Sequence, residues 1–143
     1  MLVSTRGRYA LRVMIDLAEH QGEGYIPLKE IAQRQEISEK YLESILKTLV
    51  SNKFLIGLRG KGGGYRLAKS PDLYTVGSIL RMTEGSLAPV ACLEEETEQC
   101  HRMANCPTLP MWKALHKMIN EFFDGITIAD LMSSSQPGDN YVI

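Results

Sequence analysis

Residues 54–69 read FLIGLRGKGGGYRLAK, and no other stretch restricts the possible folds as strongly. Phe54 to Leu58 and Tyr65 to Leu67 are short runs of strand-forming residues, joined by Arg59, Gly60, Lys61, Gly62, Gly63 and Gly64. That arrangement is a β-hairpin with a basic tip. Glycine removes side-chain bulk and permits positive φ, so such a tip can approach a phosphate backbone closely. Arg59 and Lys61 supply the positive charge, and arginine suits a narrow minor groove. A nucleotide-binding loop is excluded: Lys61 is followed by glycine rather than Ser or Thr, and then by a strand rather than a helix.

What precedes the hairpin is helical. From Thr5 to Glu19, Tyr9, Ala10, Val13, Met14, Leu17 and Ala18 recur at offsets of three and four and form one apolar face. GEGY ends that helix. Pro27 opens a short second one, PLKEIAQRQ, with Leu28, Ile31 and Ala32 turned inward. Ser38 can cap a third helix running to about Ser51, with Glu39 near its positive end and Tyr41 (in part), Leu42, Ile45, Leu46 and Leu49 as its inner stripe. Two helices joined by a tight turn form a helix-turn-helix, whose second helix presents its N-terminal residues to base edges in the major groove. Here these are Ser38, Glu39, Lys40, Tyr41, Glu43 and Ser44, with Lys47 a turn further on. A helix-turn-helix followed by a basic hairpin is a winged helix. The expected fold is mainly α with one small β-hairpin.

The charge distribution agrees. Net charge is −1, yet up to Lys69 there are 12 basic against 7 acidic residues, and from Ser70 onward 4 against 10. A basic front half points to a polyanionic partner for that half alone. No stretch approaches the roughly 20 apolar residues of a membrane span. The first residues lack the apolar core of a signal peptide, and the three cysteines are an odd number, so a reducing cytoplasm is expected.

In the rear half, Thr75 can cap a short helix, VGSILRMTEG, ending at Gly85. About twenty residues without strong periodicity follow, up to Pro107. A helix from Pro107 and Thr108 through Phe123 carries Trp112, Leu115, Ile119 and Phe122 at steps of three and four, widened by Met111, Met118 and Phe123. So broad a stripe behind a self-contained front unit is expected to meet a second copy of the chain: Met111, Trp112, Leu115, Met118, Ile119 and Phe122 form the expected dimer interface. Thr127 and Asp130 form a variant capping box for a last short helix. The end, SSSQPGDNYVI, reads as a polar tail.

All three cysteines, Cys92, Cys100 and Cys106, fall in the aperiodic stretch. Their spacing is not the CxxC knuckle of structural zinc. By spacing alone an iron–sulfur site, a zinc or thiol switch and inert thiols all stay open. Glu94, Glu95, Glu96 and Glu98 read as a solvated face that should raise thiolate pKa values, since like charge disfavours the anion. Paired carboxylates, a nucleophile–base signature and a cofactor fingerprint are all missing, so no enzyme is expected.

STRGRYAL, IPLKEIAQRQEISEKYLESIL, RGKGGGYRLA, TVGSILRMTEG, the three cysteines and ITIADL together resemble the bacterial winged-helix regulators typified by the iron–sulfur cluster regulator IscR, with NsrR and CymR as relatives. The resemblance covers about residues 1–132. It implies a homodimeric regulator, expected to be a repressor, that binds double-stranded DNA. It also implies residues 1–84 as the winged helix-turn-helix, 85–107 as the cysteine-bearing loop, 108–132 as the dimerisation helix with a terminal short helix, and 133–143 as a tail. Cys92, Cys100 and Cys106 would hold an iron–sulfur cluster, 2Fe–2S rather than 4Fe–4S, and the targets would be iron–sulfur assembly or sulfur-metabolism genes. Arg6, Arg59, Gly60, Lys61 and Gly62 join the residues of the third helix as expected DNA contacts. One position departs from the pattern: the histidine three residues after the last cysteine of IscR is Leu109 here. Where some relatives use a first-helix acid or histidine of the partner subunit, this chain has Arg8 and Arg12. The fourth ligand is unassigned, with His101, Asp16, Glu19 and His20 as candidates by composition alone. The alternatives are a cluster-free or zinc/thiol-switch regulator of cysteine metabolism, or a nitric-oxide sensor.

Overall fold

A computed structural model describes residues 2–22, 24–95 and 100–133. The first helix, α1, spans Thr5–Glu19, and Ser4 caps it by accepting from the Gly7 N–H. Helix α2 is Leu28–Gln35, with Pro27 as the residue just outside it, where its fixed φ costs nothing. Glu36 then takes the left-handed conformation (φ 55°), which closes the turn and lets Ser38 cap α3, Glu39–Ser51. The hairpin follows as β1, Leu55–Leu58, and β2, Gly64–Leu67, paired antiparallel with Leu55 opposite Leu67 and Leu58 opposite Gly64. After one 3-10 turn come α4, Val76–Glu84, α5, Leu109–Asp124, and α6, Ile128–Ser133. The expected class, mainly helical with a single hairpin in a winged-helix arrangement, is the one observed.

The apolar faces anticipated for α1, α2 and α3 are the ones that meet. Ala10, Val13, Met14 and Leu17 of α1, Ile31 of α2, and Leu42, Ile45, Leu46 and Leu49 of α3 pack into one core with Leu55 and Leu67 of the hairpin. Each fully buried Leu or Ile contributes about 1.5–3 kcal/mol, so the shared core holds the three-helix unit and the wing together. A fifth contributor was not visible from periodicity. Ile128 of α6 is fully buried in this same core, and Ile128 N–H donates to Tyr74 O at 2.9 Å. The segment after α5 therefore returns to the front unit. A smaller second core joins Val76 and Leu80 of α4 with Leu87, and Ile119 and Phe123 of α5 lean on it.

Two side chains fix the angles between elements. Asp16 of α1 is buried and accepts from Arg34 Nε (3.0 Å), Arg34 Nη2 (2.8 Å) and Gln35 Nε2 (2.8 Å) at the end of α2. The Tyr74 hydroxyl donates to Phe54 O (2.8 Å) and accepts from Lys69 N–H (2.9 Å), pinning both ends of the hairpin to the start of α4. No helix among the described residues is long and apolar enough to cross a membrane.

Candidate functional site

The third helix turns Glu39, Lys40, Glu43, Ser44 and Lys47 outward, all exposed, because its four buried residues occupy the opposite face. Between this face and the wing lies a cleft of about 640 Å³ lined by Glu43, Lys47, Val50, Arg59, Gly60 and Tyr65, among others. Arg59, Gly60, Lys61 and Gly62 form the exposed wing tip. The wing glycines divide into two kinds. Gly60 (φ 91°) and Gly62 (φ 76°) have open space around them, which suits close approach by a large partner. A Cβ on Gly64 would instead overlap Ile26 O, where Ile26 and Tyr65 exchange two backbone hydrogen bonds (2.9 and 2.8 Å). That glycine serves the fold.

Four residues expected to face DNA are also engaged within the chain: Ser38, Tyr41, Arg6 and Ser44. The Ser38 hydroxyl accepts from Tyr41 N–H at 3.2 Å as the helix cap. The Tyr41 ring is half-buried, edge-on to Tyr9 at 5.8 Å. Arg6 reaches across to α3: Nη1 donates to Ser44 Oγ (2.8 Å), and Nη2 donates to Ser44 O (3.1 Å) and Thr48 Oγ1 (2.6 Å).

The thiols lie in the segment between α4 and α5. Cys92 sits half-buried in a 3-10 turn, Ala91–Leu93, Cys100 is exposed, and Cys106 is half-buried just before α5. Glu96 and Glu98 fall outside the described residues. Cys106 Sγ is 3.4 Å from Thr108 Oγ1. That hydroxyl and the Thr108 backbone N–H, helped by the Leu109 N–H and the charge of Arg102, hold the Cys106 thiol below its ordinary pKa against the opposing effect of burial. The expectation that the glutamates would raise thiol pKa values therefore fails at Cys106, because donors at the first turn of α5 stabilise the anion directly. In donor chemistry the three thiols suit an iron–sulfur group. The described residues do not gather them: no group of three His, Cys, Asp or Glu side chains among them is close enough to hold a metal. Leu109 is buried and offers no donor. Asp16 is excluded as a fourth ligand, since Arg34 and Gln35 occupy both of its oxygens.

On α5 the six apolar residues separate. Met111 (54% exposed), Leu115 (37%), Met118 (65%) and Phe122 (42%) follow one another at steps of four, three and four along an uncovered face. Ile119 turns inward to the second core, and Trp112 is half-buried.

Sequence reading missed the groups that join these regions. Glu84, at the end of α4 and just before the cysteine loop, accepts from Ser4 N–H (3.0 Å) and Ser4 Oγ (2.6 Å) at the start of α1. Arg81 bonds Asp124 through both nitrogens (2.9 and 2.8 Å) and Asn120 (2.6 Å), tying α4 to α5. The Ser4–Glu84 pair is 80 residues apart in sequence, so no local spacing announces it. Thr108 had a signal, being a hydroxyl two residues after a cysteine at a helix start.

A family model described as Rrf2, iron-dependent transcriptional regulator, matches residues 3–134. The HTH-type transcriptional regulator IscR of Sodalis glossinidius is 36% identical over 136 residues, covering 95% of this chain and 81% of that protein. The solved structure of CymR, the global cysteine regulator of B. subtilis, has 38% identity and a TM-score of 0.76, over 95% of this chain and 99% of the other. That of T. potens IscR has 34% identity and a TM-score of 0.74, over 99% of this chain and 93% of the other.

Proposed function

The chain belongs to the Rrf2 family of transcriptional regulators, and from that premise we propose a homodimeric repressor that reads double-stranded DNA with α3 and the wing and senses cell state through three thiols. The observation that carries the DNA reading is the cleft that Glu43 and Lys47 of α3 line together with Arg59 and Gly60 of the exposed wing tip, with Lys40 and Ser44 exposed on the same helix. The helix fits a major groove while the wing meets the adjacent phosphates and minor groove. Glu43 accepts from cytosine N4 and is repelled by phosphate, so it selects partly by exclusion. Residues 1–84 are the DNA-reading unit, joined by α6, and 85–107 the sensing loop. The face of Met111, Leu115, Met118 and Phe122 pairs with its copy, setting two reading heads about one DNA turn apart.

Cys92, Cys100 and Cys106 would hold an iron–sulfur cluster of the 2Fe–2S type, which when bound supplies a redox-sensitive centre. Thr108 readies Cys106 as a thiolate, the ligating form. The fourth position has no assigned side chain. Ordering of the loop reaches the reading head through Glu84, which borders the loop and holds the cap of α1. A coupling of this kind is typically worth about 1–3 kcal/mol. Targets would be iron–sulfur assembly or sulfur-metabolism genes, the site of action the cytoplasm, and no catalysis is involved. A second reading, a cluster-free thiol-switch regulator, is favoured by the stabilised Cys106 anion beside Thr108.

Purification without oxygen from iron-replete cells, with iron and acid-labile sulfide analysis, separates the two. Coloured protein containing both, which bleaches when all three cysteines are changed to alanine, supports the cluster. Colourless protein lacking both sinks it and leaves the thiol switch, whose DNA affinity then responds to oxidant.

A further inference from the structure

Three hydroxyl side chains follow one another along the body of α3, and they are not equivalent. Thr48 Oγ1 donates to Ser44 O (3.2 Å) and Ser51 Oγ donates to Lys47 O (2.9 Å), each spending its proton on the carbonyl four residues back. Ser44 does not. Among the hydrogen bonds of the described residues its hydroxyl only accepts, from Arg6 Nη1 at 2.8 Å, and the side chain is exposed on the helix face turned away from the core. Arg6 is itself fixed there by Ser44 O and Thr48 Oγ1.

We infer that Ser44 reads a base edge as a hydrogen-bond donor and that Arg6 is the positioning residue that sets this polarity. The inference rests on the DNA-binding reading above. A serine hydroxyl alone is ambivalent, with one donor and two acceptor sites. A guanidinium against its oxygen removes the ambivalence. The positive charge strengthens donation by the O–H, and it repels a second incoming N–H. In the major groove guanine offers N7 and O6, adenine N7 and thymine O4 as acceptors, whereas cytosine offers only the N4 amino donor. Ser44 therefore favours a base that presents an acceptor, guanine, thymine or adenine, and rejects cytosine at the position it faces. Glu43 beside it is an acceptor only, so neighbouring residues of one helix carry opposite polarities.

The test is enrichment from a pool of random-sequence duplex DNA by the full chain, comparing wild type with Ser44→Ala, Arg6→Met and the double variant, with thermal melts to verify folding. Ser44→Ala should flatten the preference at one position of each half-site by about fivefold, one hydrogen bond's worth, and leave the other positions alone. That position should favour guanine, thymine or adenine over cytosine in the wild type. Arg6→Met should flatten the same position and change it no further when Ser44 is already alanine. Unchanged preferences in Ser44→Ala would overturn the assignment, as would cytosine at the affected position. Arg6→Met weakening all sequences alike, with that preference intact, would reduce Arg6 to a structural brace and overturn its part. If the wild type enriches no duplex at all, the DNA-binding reading falls, and the inference with it.

Discussion

Removing the carboxylate of Asp16 tests how α2 is held against α1, and hence how α3 is aimed. Its side chain has no solvent exposure, and three hydrogen bonds converge on it, two from Arg34 and one from Gln35. Breaking a buried ion pair by deleting one partner usually costs about 3–5 kcal/mol. Arg34 is 31% exposed and has Glu30 at 3.6 Å, so it regains some solvation and Asp16→Ala should cost about 3 kcal/mol, the low end of that range. Asp16→Asn keeps the volume, and one amide orientation preserves both bonds made to Oδ2 while setting an NH₂ against Arg34 Nη2. About 2 kcal/mol is expected for it. At about 2–4 °C per kcal/mol for a chain of this size, melting should fall about 6–12 °C for alanine and about 4–8 °C for asparagine. The pH dependence is a second check. Burial acts to raise the Asp16 pKa, but the hydrogen bonds from Arg34 and Gln35 and the charges of Arg34 and His20 outweigh it and hold the group below 3.8. A carboxylate depressed in the folded state stabilises fully above its unfolded pKa and ceases to as pH falls through the folded value. The gap between wild type and Asp16→Asn should thus be constant near neutrality and close below about pH 3.8. A melting change under about 2 °C for the alanine variant, or a gap that persists in acid, would refute the reasoning.

Met118→Glu places a charge on each side of the proposed α5 seam and should weaken self-association by about 100-fold or more, read by sedimentation; an unchanged mass would remove this face from the dimer. Arg59→Ala with Lys61→Ala removes two wing cations and should lower the slope of log affinity against log salt by about 1.8; a slope that does not move places the wing away from DNA. Thr108→Val removes the hydroxyl beside Cys106, so the pH midpoint for alkylating Cys106 should rise, as followed by mass spectrometry of the 100–113 region. A midpoint that stays put means the helix-start N–H groups alone hold the thiolate.

Legibility followed the range of the physics. The bounds of α1, the caps Ser38 and Thr75, and the Thr127–Asp130 box, whose two hydrogen bonds are 2.9 and 3.1 Å, are set by residues within four positions of one another, and the sequence displays them openly. The α5 stripe was legible as apolar but not as two faces, because only the packing of α4 reveals that Ile119 turns in and Met118 turns out. Arg6 was readable as a cation near DNA, but not as a clamp on Ser44, since the partners lie 38 residues apart. Burial of Ile128 beside α1 was hidden for the same reason. The thiols were the plainest motif, yet spacing in a loop fixes no distances, and the described residues leave them apart.

Where α1 crosses α4 the packing is close: a Cβ on Gly7 would meet the Glu84 carboxylate that Ser4 holds in place, and one on Gly77 would meet the Asp124 carboxylate that Arg81 holds on the other flank of α4. A joint built on a hydrogen atom works in one register only. Sliding α1 by a helical turn, about 5.4 Å, would bring Val3 or Leu11 towards Glu84, where neither fits. Translation by a turn would displace those carboxylates from their partners, so rotation about the Gly7 contact is the less costly freedom. On the function proposed above, a signal from the cysteine loop would leave α4 as a pivot, and a small pivot at the root of α1 would be magnified at the far ends of α3 and the wing.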